Sequence, residues 1–263
     1  MMDNRPIGLL DSGVGGLTVV KQVIAQMPHE STVFVGDNAH IPYGNKSENE
    51  ITDLTGESVK FLLSKNVKLI IFACNTATAV ALPKIQKQVT LPLIGVVQAG
   101  AQAALKVSQN KRVAVVATPM TVKEHAYRQE LTRRDPQVEV TELAAPQLVP
   151  LIEKNADQAS IERAIAATLL PIQAQAFDTL VLGCTHYPIV QDKFVNYVGP
   201  GVQVVDPAAQ VAQTAYELMQ RKQLLSGRPG LGQHEYYTTK ASPLVDQLGR
   251  LILHEPDFAA QQR

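Results

Sequence analysis

Cys74 and Cys184 are the only cysteines in the 263 residues, and both stand in the same local setting. Leu69-Ile70-Ile71-Phe72-Ala73-Cys74-Asn75-Thr76 and Leu180-Val181-Leu182-Gly183-Cys184-Thr185-His186 are apolar, strand-like runs. Each passes through a small residue to the cysteine and then to short polar side chains. A lone strand-end cysteine reads as a small buried hydrophobe. Two at matched positions read as one site with a sulfur on each side. A strand-to-helix junction aims backbone N–H groups at the sulfur, which favours thiolate. One thiolate could then take a proton from a carbon while the opposite thiol returns one to the other face, inverting a stereocentre without cofactor or metal. Each positioned acid or base contributes on the order of 10²–10⁴-fold in rate.

Other thiol chemistries fit less well. A cysteine protease needs one nucleophile and a histidine base, and leaves the second sulfur without a role. A dithiol redox module usually shows Cys-x-x-Cys, which is missing. Two cysteines with His186 lack a fourth zinc ligand. Asp11 and His186 are the groups placed to take or guide a proton beside the sulfurs. The glycine-rich turn Asp11-Ser12-Gly13-Val14-Gly15-Gly16 is no dinucleotide fingerprint, because Thr18 occupies the third glycine position, and it lacks the Gly-Lys-Ser/Thr of a Walker loop. Its N–H groups could hold a carboxylate, or it is simply a tight turn.

Composition narrows the class. Hydrophobic residues make up 45%, enough for a substantial core, and the 24 basic and 24 acidic residues cancel. A neutral chain lacks the basic face that nucleic acid requires. No stretch approaches the roughly 18 apolar residues of a membrane span, and no signal-peptide pattern opens the chain. A cytoplasmic protein with reduced thiols is expected.

The elements that must position these residues alternate. Strands are expected at Ile7–Leu10, Thr32–Val35, Val67–Ala73 and Leu91–Val97, ending at Asp11, Asp37, Cys74 and Gln98. A second set, Arg112–Ala117, Val138–Thr141, Thr179–Gly183 and Val202–Val205, ends at Thr118, Glu142, Cys184 and Asp206. The offsets between corresponding ends are 107, 105, 110 and 108 residues, the mark of a duplicated βα set. Helices are expected at Leu17–Met27, Asn49–Lys65, from Thr76, from Thr118 through Leu131, and at Gln147–Lys154, Ser160–Gln175, Pro207–Arg221 and Pro243–Leu253. Tyr236–Thr239 reads as a last strand. This order predicts an α/β fold of two pseudosymmetric, doubly wound domains with mainly parallel sheets. The first would comprise residues 1–97 plus 207–263 and the second 98–206. Ligands of such sheets bind beyond the carboxyl ends of the strands, so two facing edges would enclose one cleft.

Asp11-Ser12-Gly13-Val14-Gly15-Gly16-Leu17, Pro42-Tyr43-Gly44, Ala73-Cys74-Asn75-Thr76-Ala77 and Gly183-Cys184-Thr185-His186 together resemble the signatures of the glutamate racemases of the aspartate/glutamate racemase family. The resemblance runs from Ile7 to about Pro207. It implies cofactor-independent interconversion of L- and D-glutamate, supplying D-glutamate for peptidoglycan, with Cys74 and Cys184 as acid/base thiols. It also implies a substrate site lined by Asp11, Ser12, Tyr43, Gly44, Asn75, Thr76, Thr185 and His186, with Asp37, Pro42, Thr118, Thr121 and Glu153 as further candidates. Gln98 and Ala99 stand where the family usually has Glu and Pro, and Thr118-Pro119-Met120-Thr121 replaces a more glycine-rich turn. The short run before Ile7 sets the expectation that this is not the precursor-activated subtype. A site of hydroxyls, amides and N–H groups would hold two carboxylates without neutralising a thiolate, and Asp11 or Glu153 would receive the ammonium. The alternatives are a racemase for aspartate or another small acid, and a non-catalytic amino-acid clamp. A homodimer is left open.

Overall fold

The computed structural model describes residues 2–263. Its strands, in chain order, are β1 (Ile7–Asp11), β2 (Thr32–Gly36), β3 (Leu69–Phe72), β4 (Leu93–Gly95), β5 (Arg112–Ala117), β6 (Glu139–Ala144), β7 (Thr179–Gly183), β8 (Gln203–Val205), β9 (His234–Thr238) and β10 (Gln261–Gln262). They form two sheets, ordered β10-β9-β2-β1-β3-β4 and β6-β5-β7-β8, and every pairing is parallel. Within each sheet the four repeated strands stand in the same order: second, first, third, fourth. The duplication expected from the spacing is therefore a duplication of topology.

Parallel sheets need cover on both faces, and the sequence of β1, β3 and β7 shows it as unbroken burial. Helices supply the cover. Glu48–Ser64 starts on a capping box in which Ser47 Oγ accepts from the Glu50 N–H and the Glu50 carboxylate accepts from the Ser47 N–H. Leu17–Gln26, Val96–Val107 and Ala208–Arg221 present their buried faces to a core that runs continuously from β1 and β3 to β5 and β7. Smaller cores lie on the other face of each sheet, one containing Cys74 and Tyr43, the other Cys184 and Tyr187. Among the described residues no helix is long and apolar enough to cross a membrane.

Some expectations are corrected. The run Leu91–Val97 holds only the three-residue β4, and helix Val96–Val107 begins where the strand was to continue. A contiguous apolar run cannot by itself separate a buried strand from a buried helix. Val97, Ala101 and Ala104 face the core, which leaves Gln98 exposed in the first turn of the helix, its side chain beside Gly95, where the strand has already ended. Glu142 is likewise no strand end, because β6 continues to Ala144; its carboxylate instead pairs with His125 and Arg128. The helix expected after Thr118 is broken into Pro119–Lys123 and Ala126–Arg134 by His125 at φ 50°. Leu170–Ile172, with Pro171, ends helix Gln158–Leu169 early as a 3₁₀ turn.

The strand carrying Cys74 is anchored at its other end. Lys68, fully buried just before β3, donates to the Glu30 carboxylate (2.5 Å) and to the Asp3 carbonyl (2.7 Å), and Glu30 also accepts from the Ser226 N–H (2.7 Å). Removing one member leaves a buried charge without its partner. Lys68→Ala is expected to lower unfolding free energy in urea by about 3–5 kcal/mol, and Lys68→Met/Glu30→Gln by clearly less. A Lys68→Ala loss within about 0.5 kcal/mol, the level of an ordinary surface change, would show that the pair anchors nothing.

Candidate active site

Both cysteines open onto one cavity between the two sheets. Its wall consists of Ser12, Ile41, Pro42, Tyr43, Gly44, Cys74, Asn75, Thr76, Thr118, Val149, Cys184, Thr185 and His186. The free volume is about 20 Å³, room for about one water. Cys74 is the N-cap of helix Asn75–Val80. Its sulfur accepts from the Ala77 N–H at 3.4 Å, and its S–H is 3.5 Å from Ser12 Oγ. Cys184 directly follows β7, with its sulfur 3.8 Å from His186 Nδ1. Both thiols are free and buried.

The two halves touch through short polar bridges. Thr185 Oγ1 donates to Asp11 at 2.8 Å, while the other carboxylate oxygen of Asp11 accepts from the Ser12 N–H at 2.7 Å. Thr76 and Thr118 hydroxyls meet at 2.9 Å, and Thr121 lies 3.0 Å from Thr118. Tyr127 donates to Asn75 Oδ1 at 2.7 Å. Glycine permits this closeness: a Cβ on Gly15 would sit 2.7 Å from His186 Nδ1, and one on Gly44 2.7 Å from Thr118 Cβ. The glycine-rich turn is thus packed against the opposite half.

The residues expected at the site separate into two tiers. Ser12, Pro42, Tyr43, Gly44, Cys74, Asn75, Thr76, Thr118, Cys184, Thr185 and His186 line the cavity. Asp11, Asp37, Thr121 and Glu153 stand behind it, each bonded to a residue that does. Asp37 accepts from the Tyr43 hydroxyl at 2.7 Å and bonds to His40 and Thr239, which holds the Pro42-Tyr43-Gly44 loop. Glu153 bonds to His186 Nε2 at 2.5 Å. Sequence reasoning missed Ile41 and Val149 on the wall. Val149 had a signal: it lies four residues before Glu153 on helix Leu148–Glu153, and so on the same face.

Burial tunes the charges. Desolvation raises the Asp11 carboxyl above its ordinary value, although nearby His186 and the Thr185 hydrogen bond oppose this. Burial pushes the Cys74 thiol up, and the Asp11 carboxylate adds to the rise. For His186, burial works against the charged form, but hydrogen bonding with Cys184 and Glu153 outweighs it, so the imidazole titrates well above its usual range.

Paired α/β domains whose matched strand ends place two thiols on one enclosed cavity define a class of enzymes that move protons at carbon. The chain belongs to the Asp/Glu/Hydantoin racemase family, whose model matches residues 13–215. It is 54% identical to a glutamate racemase of Lactobacillus helveticus over 261 residues, 99% of this chain and 98% of that one. Among solved structures it is similar to glutamate racemase isoform RacE1 from Bacillus anthracis, with TM-score 0.94, 32% identity and 99% and 97% of the two chains covered. It is also similar to the Francisella tularensis glutamate racemase in complex with D-glutamate, with TM-score 0.90, 32% identity and 99% and 96% covered.

The His186 pairing has a pH signature. A folded pKa raised above the unfolded value of about 6.5 gives stability that is complete below that pH. It is lost as pH rises through the folded value. Glu153→Gln should therefore destabilise the protein most near pH 6, roughly, with the gap to wild type narrowing as pH rises. Urea unfolding at a series of pH values measures the gap, and NMR titration should find the His186 pKa lowered in the variant. A gap independent of pH would mean that Glu153 supports the fold without pairing to a charged imidazole.

Proposed function

We propose that the cavity racemises glutamate by two-thiol proton transfer, interconverting L- and D-glutamate and supplying the D-enantiomer for peptidoglycan. The observation that carries the reading is the pair of buried thiols on one wall-to-wall enclosed cavity. Around them are hydroxyls, an amide and an imidazole, and no lysine or arginine lines it. Hydroxyl and amide donors hold the substrate carboxylates, which leaves the His186 imidazole as the cationic group on the wall, beside Cys184. The substrate ammonium is drawn to Asp11, which also offsets the carboxylate that raises the Cys74 thiol. Cys74 with its proton held in place suits the donor role, and Cys184, beside an imidazole that readily carries charge, suits the base. The step is then balanced: Cys184 thiolate takes the Cα proton of L-glutamate, the electron pair rests in the carboxylate-stabilised carbanion, and the Cys74 S–H delivers its proton to the opposite face. The reverse assignment acts on D-glutamate.

A cavity of about 20 Å³ is far too small for glutamate, so the substrate enters an opened form and the two halves close over it. The moving bodies in this reading are residues 1–97 with 207–263, and residues 98–206. Closure excludes water and strengthens the hydrogen bonds to the substrate.

The test is circular dichroism of L-glutamate, alongside a panel that includes L-aspartate, incubated with the protein in deuterated water. Wild type should give D-glutamate carrying deuterium at Cα. Cys74→Ser and Cys184→Ser should each lower kcat by at least about 10³-fold while folding is retained, since a hydroxyl is a far weaker acid than a thiol. Near wild-type turnover by either variant, or product that keeps its original Cα hydrogen throughout, would exclude the two-thiol mechanism. Turnover of another amino acid in preference to glutamate would change the substrate.

A further inference from the structure

Tyr127 is a large, fully buried side chain that the two-thiol chemistry leaves unused. It belongs to helix Ala126–Arg134, in the half that carries Cys184, yet its hydroxyl reaches across to Asn75, the residue after Cys74. Its ring also lies against the other cysteine motif: a Cβ on Gly183, the residue before Cys184, would meet the ring at 3.2 Å. One side chain thus touches the neighbours of both sulfurs.

The hydrogen bond also fixes which way the Asn75 amide faces. Asn75 Oδ1 is the hydrogen-bond partner of the Tyr127 hydroxyl. A buried phenol that failed to donate there would leave its O–H unpaired, which is costly away from water. Burial, with the Asp206 carboxylate adding to it, also pushes the phenol up, so it keeps its proton. With Oδ1 occupied, the Nδ2 amino group of Asn75 is the free end. Among the described residues, Ser58 Oγ is the one sealed side-chain polar atom without a partner, so the unpartnered Nδ2 is not sealed off. Asn75 lines the cavity.

We infer that Tyr127 is a positioning residue for substrate binding: by donating to Asn75 Oδ1 it presents the Asn75 amino group to the cavity as a donor for a carboxylate oxygen of the substrate. This rests on the racemase reading given above. Without the phenol, the amide can flip and offer its oxygen to an anion, which repels it. The bond spans the two halves, and the Tyr127 ring is part of the core that they share.

The experiment is the steady-state kinetics of Tyr127→Phe, Asn75→Ala and the double variant in both directions, with wild type in parallel. Tyr127→Phe removes one oxygen and keeps the packing. It should raise KM for both enantiomers by about 10-fold with kcat within about 3-fold, the pattern of lost binding shared by ground and transition states. Partial misfolding would lower apparent kcat and leave KM unchanged. In the Asn75→Ala background the same change should add less than about 2-fold, because its effect passes through the amide. An unchanged KM in Tyr127→Phe, or full multiplication of the two effects in the double variant, would overturn the inference while leaving the racemase reading intact. A wild type that fails to racemise glutamate would overturn the reading and this inference together.

Discussion

A carboxylate buried at the seam between two half-molecules constrains everything around it. Asp11 ends β1 and is 2% exposed, so its oxygens must find donors within the protein. They find one in the Ser12 N–H of their own half and another in the Thr185 hydroxyl of the other. Taking an ion out of water costs several kcal/mol unless its lone pairs are met. The carboxylate is therefore fully satisfied only while both halves are in register. Register here means that Cys74, after β3, and Cys184, after β7, open onto the same cavity. The glycines of the turn follow from this: side chains at Gly15 would strike Thr185 and His186 and break the bond.

Around this bond the cavity wall is braced from behind. Tyr43 is held by Asp37, His186 by Glu153, and Asn75 by Tyr127. Each brace ties a polar group of the wall to a partner set back from it, which removes rotamer freedom before any ligand arrives. The braces differ in kind. Asp37 and Glu153 are carboxylates and bear on charge and proton position, whereas Tyr127 is neutral and bears on orientation.

The halves are also joined by apolar packing of helices Leu17–Gln26, Val96–Val107 and Ala208–Arg221, which merges into a core shared by both sheets. That contact is extensive and excludes water. The contact at the cavity, by contrast, consists of a few hydrogen bonds between hydroxyl, amide and carboxylate groups. Each is worth only about 0.5–1.5 kcal/mol net, since water offers the same partners. The halves are thus held strongly along their helices and weakly at the polar cleft.

Much of this was legible in the sequence. Strand-end cysteines 110 residues apart, set in matching apolar runs, carried the duplication, the α/β class and the shared cavity, because parallel strands are apolar throughout and their carboxyl ends are where polar residues appear. What failed was also local in form but tertiary in cause. Val96 and Val97 looked like strand because burial erases the period that separates strand from helix, and only packing against Ala208–Arg221 and Ala126–Arg134 made them helical. Glu142 looked like a strand end, but its fate was set by His125 and Arg128, brought near by a break at His125. The tiers of the site were equally invisible: Asp37, Glu153 and Tyr127 lie 6, 33 and 52 residues from the groups they hold. Chain order determined which residues reach the strand ends. Only the three-dimensional approach of two separately buried edges decided which of them face the cavity and which stand behind, because that depends on distances of a few ångströms between side chains distant in sequence.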